Sequence, residues 1–217
     1  MSNSISYNAS IWENFKAGDK EAFALLYNQH VQTLFHYGTK ISPEEELVKD
    51  AIQEIFIDLY LKRKNNNADP QNLKFYLILA LKRNLIKKLK RNRKQINETS
   101  RLEFIFEPEY CIEKTIIEEE ENKEQKIRIG QALSQLPPKQ KEALYLRFNE
   151  SLDYPDIAQL MEISIESARK QVYRALKYLR EHFNNQSFIL LMLFHQWIFR
   201  FQQSGHPTFI NHRNWMT

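Results

Sequence analysis

Apolar residues recur at steps of three and four over most of this chain, a spacing that predicts helices. From residue 19 to residue 41 the apolar stripe consists of Phe23, Leu26, Tyr27, Val31, Leu34 and Phe35. From residue 42 to residue 64 it consists of Leu47, Val48, Ala51, Ile52, Ile55, Phe56, Leu59 and Tyr60. Asp19 is placed to cap the first of these helices, and Ser42 followed by Pro43 is placed to open the second. The expected fold class is all-α.

A third helical run, from Gln71 to Lys94, changes from apolar to basic along its length. Its second half, residues 82–94, holds eight Lys or Arg and no Asp or Glu. Residues 98–124 hold ten Glu against two Lys and one Arg. Such a separation of charge indicates that the two segments meet different partners. The net charge of +4 is a weaker hint of an acidic partner.

A second helical block runs from Ile127 to about Phe183 and contains two short helices in close succession. Asp153 can cap the first of them and Ser164 the second. The inward stripe of the second helix consists of Ala168, Val172, Ala175, Leu176 and Leu179. Its outward face consists of Glu166, Ser167, Arg169, Lys170, Tyr173, Arg174 and Lys177. A tight turn between two such helices is typical of the helix-turn-helix motif, whose second helix enters the major groove.

The outward face of that helix, with Ser164 at its start, predicts a DNA-binding surface. Arginine can bind guanine edges bidentately, and the remaining cations can meet phosphates. Glu166 could accept from a cytosine amine or simply suit the helix dipole. A solvated amphipathic helix would explain the same pattern without DNA.

The composition favours no catalytic, cofactor or metal site. Cys111 is the single cysteine, which excludes an internal disulfide and a zinc site built from several cysteines. His30 and His36 are six positions apart and do not share a helix face, so we expect ordinary helix residues. The N-terminus lacks the order of a secretory signal, and no stretch reaches the roughly 18 apolar residues of a membrane span. A cytoplasmic protein without stable membrane insertion is expected.

The segment from Ala132 to Arg180 resembles the C-terminal promoter-binding domain of bacterial sigma factors. The matching positions are Leu136, Pro137, Tyr154, Ile157, Ala158, Ile163, Ser164, Ala175, Leu179 and Arg180. Glu162 stands where the family often has Gly or Asn, so Glu162 must adopt a positive φ or the turn must differ. Ser167 and Ala168 replace the usual Thr and Val. The resemblance implies that the predicted surface, from Ser164 to Lys177, binds the minus-thirty-five element.

The N-terminal block resembles the same family independently. One match is the stretch from Gly18 to Tyr27, and a more specific match lies in the helix around residues 50–60. In the family this helix binds the coiled-coil clamp of the RNA polymerase largest subunit. The resemblance implies that the polymerase is bound by Asp50, Gln53, Glu54, Phe56 and Tyr60. Phe56 and Tyr60 could instead be plain core residues.

By the same resemblance, the basic half of the third helix would meet the minus-ten element. The residues expected to do so are Lys82, Arg83, Asn84, Lys87, Lys88, Arg91 and Arg93. These cations can neutralise phosphates of DNA that is being opened. An Asn near the end of this helix pattern often helps to hold an unstacked base in the family. Arg83 occupies that place here and Asn84 comes one residue later, so the base-capture residue stays open, and a solvated charged face is the alternative.

The order of these blocks resembles the two-domain extracytoplasmic-function (ECF) sigma factors. The expected domains are a region 2-like unit (10–94), an acidic linker (95–126), a region 4-like unit (127–183) and an apolar extension (184–217). The linker resembles the segment that threads toward the polymerase active-site cleft, or it is a solvated tether. The resemblance implies a promoter-specificity subunit that contacts the clamp and flap of core RNA polymerase and promoter DNA. The alternative is a stand-alone helix-turn-helix regulator.

The resemblance does not explain the extension from residue 184 onward. Its large apolar side chains are costly to leave in water, at about 25 cal/mol per Å². It could fold back on the rest of the chain, or lie on a membrane surface. It could also dock an anti-sigma or recruiting protein through residues 186–201.

Overall fold

The structure is a computed structural model that describes residues 2–65, 72–95, 106 and 130–182. Within these ranges every regular element is helical and no strand is present. The described residues fall into two compact units, of which the first contains the residues up to Phe106 together with the short segment Ala158–Ile163, and the second contains the rest. The predicted all-α class is confirmed.

The first unit is built from four helices. They are α1 (Ser2–Ala17), α2 (Lys20–Thr39), α3 (Glu45–Leu61) and α4 (Leu73–Gln95), with a 3₁₀ turn at Arg63–Asn65. Helices α2, α3 and α4 pack on one another, and α1 packs on α2. The stripe predicted for α3 faces the core, where the buried side chains are Val48, Ala51, Ile52, Ile55, Phe56 and Leu59. At Gly38 the contact between α2 and α3 is so close that an added Cβ would lie 2.5 Å from Cγ1 of Val48.

Helix α1 was not among the predicted helices, although it contributes to the same core. Phe15 is fully buried, and its ring centroid lies 5.3 Å from that of Trp12 and 5.9 Å from that of Phe23. The helix ends at Gly18, whose φ of +98° lies in the left-handed region that glycine tolerates best. The next residue, Asp19, then accepts at Oδ1 from the Glu21 N–H at 2.8 Å. The predicted cap of α2 is therefore present.

The start of α3 differs from the prediction. We expected Ser42 and Pro43 to open the helix, but α3 begins at Glu45. Ser42 is buried, and its Oγ accepts from the Glu44 N–H at 3.3 Å, so it stabilises the turn that precedes the helix. Glu45 and Glu46 occupy the first turn, where a negative charge suits the helix dipole.

Phe106 comes from the predicted linker, yet it belongs to the core of the first unit. It is fully buried, and its ring centroid lies 5.9 Å from that of the fully buried Tyr37. The segment predicted to be an acidic linker therefore contributes one residue to the core of the first unit. The rest of the linker, residues 96–105 and 107–126, lies outside the described residues, as does the extension from residue 184.

The C-terminal part of the chain contains helical residues 130–134, followed by α5 (Pro138–Phe148), α6 (Tyr154–Met161) and α7 (Ile165–His182), and all of it except Ala158–Ile163 belongs to the second unit. Helix α5 packs on α7. The two predicted helix caps are present. Asp153 Oδ1 accepts from the Asp156 N–H at 2.9 Å, and Ser164 Oγ accepts from the Ser167 N–H at 3.1 Å.

Candidate nucleic-acid and polymerase interfaces

Helix α7 has one buried side and one exposed side. Its buried residues are Ala168, Val172, Ala175 and Leu179, all members of the predicted inward stripe. The side chains predicted to meet DNA are half-buried at Ser167 and exposed at Ser164, Glu166, Arg169, Lys170, Tyr173, Arg174 and Lys177. The structure therefore brings the whole predicted set to one face, and its contact with DNA stays a prediction.

The turn between α6 and α7 is tight and ends directly in the cap of α7. Glu162 has a φ of +55°, so the glutamate adopts the positive φ that the family pattern implied at this position. The next N–H, that of Ile163, donates to the Ala158 carbonyl oxygen at 3.0 Å and closes the end of α6. Ser164 then begins α7 by capping its first turn. This geometry is that of a helix-turn-helix.

Tyr154 lies beside the outward face of α7 and contacts two arginines. The guanidinium carbon of Arg169 lies 5.5 Å from the Tyr154 ring centroid, and that of Arg147 lies 5.0 Å from it. Arg147 also donates from Nη1 to the Leu152 carbonyl oxygen at 2.8 Å. Arg169 is thus held by an aromatic ring from the preceding helix. The family match included Tyr154, but nothing in the spacing indicated this contact.

Helix α4 exposes three of the five cations predicted for the minus-ten element whose side chains the structure describes. Arg83, Lys87 and Arg91 are exposed, whereas Asn84 and Lys88 are half-buried. Arg93 lies on the helix, but its side chain is outside the described part of the chain.

Lys82 is a correction to the predicted basic face. Its side chain is only 8% exposed. It lies four residues after Ile78 and three before Leu85, both fully buried, so helical periodicity places Lys82 on the inward side of α4.

Glu54, Asn84 and Lys88 form a polar cluster between α3 and α4. The Lys88 ammonium lies 2.7 Å from Glu54 Oε1, and Asn84 Nδ2 donates to Glu54 Oε2 at 2.9 Å. The hydrogen bond from Lys88, with that from Asn84, lowers the pKa of the Glu54 carboxyl group, which is therefore ionised at neutral pH. The sequence prediction assigned Glu54 to the polymerase surface and the other two residues to the minus-ten surface. The structure brings all three together.

Phe56 is a correction to the predicted polymerase surface. It is only 2% exposed, and its ring centroid lies 4.8 Å from that of Tyr27 and 6.2 Å from that of Phe23. The core alternative therefore holds for Phe56. Tyr60 is half-buried, with its ring centroid 5.2 Å from that of Phe23 and 4.3 Å from the guanidinium carbon of Arg63.

Two exposed apolar residues of α3 were missed by the sequence prediction. Ile57 is 57% exposed and Leu61 is 68% exposed. They follow Asp50 and Glu54 at helical spacing and so share their face. The sequence does indicate their exposure, because Ile57 and Leu61 are out of phase with the apolar stripe of α3 that fills the core. Ile57 and Leu61 are four residues apart and so are neighbours on this face.

Comparisons with known proteins identify both units. The family model described as Sigma-70 region 2 matches residues 26–95, and that described as Sigma-70, region 4 matches residues 126–179. The chain belongs to the sigma-70 family. With its regions 2 and 4 it is a sigma factor, which directs promoter recognition and transcription initiation. The alternative of a stand-alone regulator is not favoured.

This sigma factor is similar to several known proteins. It is 26% identical over 168 residues to the RNA polymerase sigma-H factor of Pseudomonas aeruginosa, covering 75% of this chain and 86% of that protein. It shares its fold with the sigma factor RpoE of Bartonella quintana, solved in complex with the anti-sigma factor NepR. The TM-score is 0.50 at 18% identity, over 74% of this chain and 95% of that one. CnrH, solved with the cytosolic domain of CnrY, gives a TM-score of 0.49 at 16% identity, over 79% of this chain and 94% of that one.

His30 and His36 both lie on α2, outside the surfaces predicted on α3, α4 and α7. Burial, with a contribution from the Lys74 ammonium, lowers the pKa of His30 to about 4. Burial, with a contribution from Lys40, also lowers the pKa of His36. Among the described residues, no group of three or more His, Cys, Asp or Glu side chains could hold a metal ion. In the same ranges no helix has both the length and the apolar character that crossing a bilayer requires.

Proposed function

We propose that this sigma factor binds promoter DNA and core RNA polymerase through three separate helix surfaces. The outward face of α7 binds the minus-thirty-five element, the basic face of α4 binds the minus-ten element, and the exposed face of α3 binds core RNA polymerase. The observation that carries the proposal is the exposure of clustered cations on α4 and α7, two helices that lie in the matched regions 2 and 4. In domain terms, residues 10–94 act as region 2 and residues 127–183 as region 4.

On α7, the arginines and lysines have different tasks. Arg169 and Arg174 present planar donor groups that match guanine edges, whereas Lys170 and Lys177 present point charges that suit phosphates. The Lys170 ammonium lies 2.8 Å from Glu166, and the two side chains are 61% and 77% exposed. An ion pair so open to solvent contributes little free energy, so a phosphate can replace the carboxylate at small cost.

On α3, the proposed polymerase surface combines polar and apolar contacts. Asp50, Gln53 and Glu54 supply charge and hydrogen bonds, and Tyr60 lies at the margin. Ile57 and Leu61 supply the apolar anchors that the prediction had assigned in part to Phe56. This surface fits the clamp of the polymerase largest subunit, and the second unit would reach the flap.

The remaining assignments follow from membership of the family. Sigma factors recognise DNA rather than catalyse a reaction, so the protein acts without a catalytic residue. Its place of action is the cytoplasm, at the nucleoid when polymerase is bound.

RpoE of Bartonella quintana is complexed with an anti-sigma factor, and we propose that this chain also has an anti-sigma or recruiting partner. The proposed contact, residues 186–201, lies outside the described residues.

The test of the polymerase surface is retention of the purified chain on core RNA polymerase. Gln53→Ala combined with Ile57→Ala removes a hydrogen-bonding group and an apolar anchor, and should weaken binding about tenfold or more. Leu25→Ala is the matched control, because Leu25 is also exposed (47%) but lies on α2. The Leu25→Ala variant should bind as the wild type does.

The test of promoter recognition is transcription in vitro with core polymerase on a library of genomic fragments. Mapping the start sites should reveal one pair of promoter elements shared by the initiating fragments. A chain that is not retained on core polymerase, or that directs no initiation, would contradict the proposed function.

A further inference from the structure

We propose that Glu54 is a built-in competitor of DNA, whose carboxylate occupies Lys88 and Asn84 until a phosphate group displaces it. The inference rests on the proposed function of α4 as the surface that binds the minus-ten element. The inference adds that a residue of α3, Glu54, lowers the affinity of that surface for DNA.

The carboxylate of Glu54 uses both of its oxygens on α4. Oε1 lies 2.7 Å from the Lys88 ammonium, and Oε2 accepts from Asn84 Nδ2 at 2.9 Å. Asn84 and Lys88 are four residues apart on α4, so they lie one above the other on the same side of the helix. One carboxylate on α3 thereby engages two successive turns of the helix proposed to meet DNA. Hydrogen bonds from a charged donor to a carboxylate are the stronger kind.

The surroundings of Lys88 distinguish this ion pair from others of the first unit. The Lys62 ammonium lies 2.7 Å from Asp58, but Lys62 is only four positions away and directly follows the last residue of α3, and the two side chains are 66% and 64% exposed. The Lys88 side chain is 24% exposed and that of Glu54 is 53% exposed, and Glu54 comes from a different helix. Water and salt therefore screen Lys88 less than they screen Lys62.

A carboxylate and a phosphate diester are both anions that accept hydrogen bonds, so a lysine ammonium can bind either one. The exposed neighbours Lys87 and Arg91 can meet phosphates directly, whereas Lys88 must first leave Glu54. The exchange replaces one anion with another, so the complex with DNA gains less from Lys88 than from a free cation. Glu54 therefore lowers the affinity of the basic face for DNA, and it reduces the number of counterions released on binding.

The experiment compares two substitutions that change the charge by the same amount. Glu54→Gln removes the competing charge but keeps an oxygen that can accept from Asn84. Asp58→Asn removes a carboxylate one turn away on α3, whose lysine partner Lys62 is the C-cap residue of the same helix. The full chain is titrated onto a labelled duplex DNA of arbitrary sequence, and the dissociation constant is measured by fluorescence anisotropy over a series of salt concentrations.

For Glu54→Gln we expect binding about two- to fivefold tighter than wild type at low salt. The slope of log K against log salt should steepen by about 0.9, the value for one additional phosphate neutralised. Asp58→Asn should leave the slope unchanged. Adding Lys88→Gln to Glu54→Gln should return the slope to the wild-type value, because the released cation is then absent.

Equal slopes for Glu54→Gln and Asp58→Asn, or weaker binding of Glu54→Gln, would overturn the inference, and weaker binding would mean that Glu54 prepares Lys88 for DNA. Far-ultraviolet circular dichroism establishes that each variant is folded. The proposed function is tested separately, by core retention and initiation with the wild-type chain. If the wild type initiates but the two slopes agree, the inference alone falls, and if the wild type is neither retained on core polymerase nor able to direct initiation, the proposed function falls.

Discussion

At the scale of single residues, Tyr154 couples the two helices of the helix-turn-helix through an arginine. Its ring centroid lies 5.5 Å from the guanidinium carbon of Arg169. A cation–π contact of this kind is worth about 0.5–1 kcal/mol at an exposed site. We expect Tyr154→Leu to weaken binding of the minus-thirty-five element about two- to fivefold, because Arg169 must then be ordered on binding. The measurement is the affinity of the holoenzyme for a promoter fragment found by start-site mapping.

Tyr154→Phe is the control for this prediction, since it keeps the aromatic face and removes only the hydroxyl group. It should bind nearly as the wild type does. If the Phe variant binds as weakly as the Leu variant, the hydroxyl group and not the ring is what matters.

His30 makes the stability of the first unit depend on pH. Its pKa of about 4 in the folded protein lies below the value of about 6.5 in an unfolded chain. Between these two values the unfolded state binds more protons, so stability falls as the pH is lowered. From pH 7 to pH 5 the loss from this residue should be about 2 kcal/mol. Urea unfolding at the two pH values measures it, and His30→Gln should lose less stability than the wild type over that range.

At the scale of helices, the sequence predicted best those elements whose stripe and capping residues agree. In α7, Ser164 caps the helix, and each residue from Ala168 to Leu179 in the predicted stripe is buried or nearly so. The start of α3 was misplaced, because Ser42 and Pro43 are equally good residues for the turn that precedes a helix. Local sequence patterns cannot tell whether these residues begin the helix or form the turn before it, since that depends on how the turn packs.

The residues of the candidate site were also hard to predict because their positions depend on how the helices pack. The apolar stripe of α3 includes Phe56, whereas the family resemblance assigned Phe56 and Lys82 to binding surfaces, and both are buried. Ile57 is out of phase with that stripe and is exposed. Contacts between helices, such as that of Glu54 with Lys88, depend on the register of two packed helices, and a single sequence without its fold does not give that register.

At the scale of the whole molecule, Phe106 shows that the first unit includes part of the chain beyond α4. Both Phe106 and Tyr37 are fully buried, and their ring centroids lie 5.9 Å apart. We expect Phe106→Ala to destabilise the first unit by about 3 kcal/mol, because it removes a buried aromatic ring and leaves a cavity. Hydrogen exchange followed by mass spectrometry reports on each unit separately, and protection should fall in α2 and α4.

The matched control is Phe148→Ala, which truncates a half-buried phenylalanine at the end of α5 in the second unit. It should lower the protection of α5 and α7 and leave α2 and α4 unchanged, because the two units are compact bodies with their own cores. If Phe106→Ala left the exchange of α2 and α4 at the wild-type rate, Phe106 would contribute nothing to that core, and the first unit would end with α4. The acidic segment between α4 and α5 would then be a tether over its whole length.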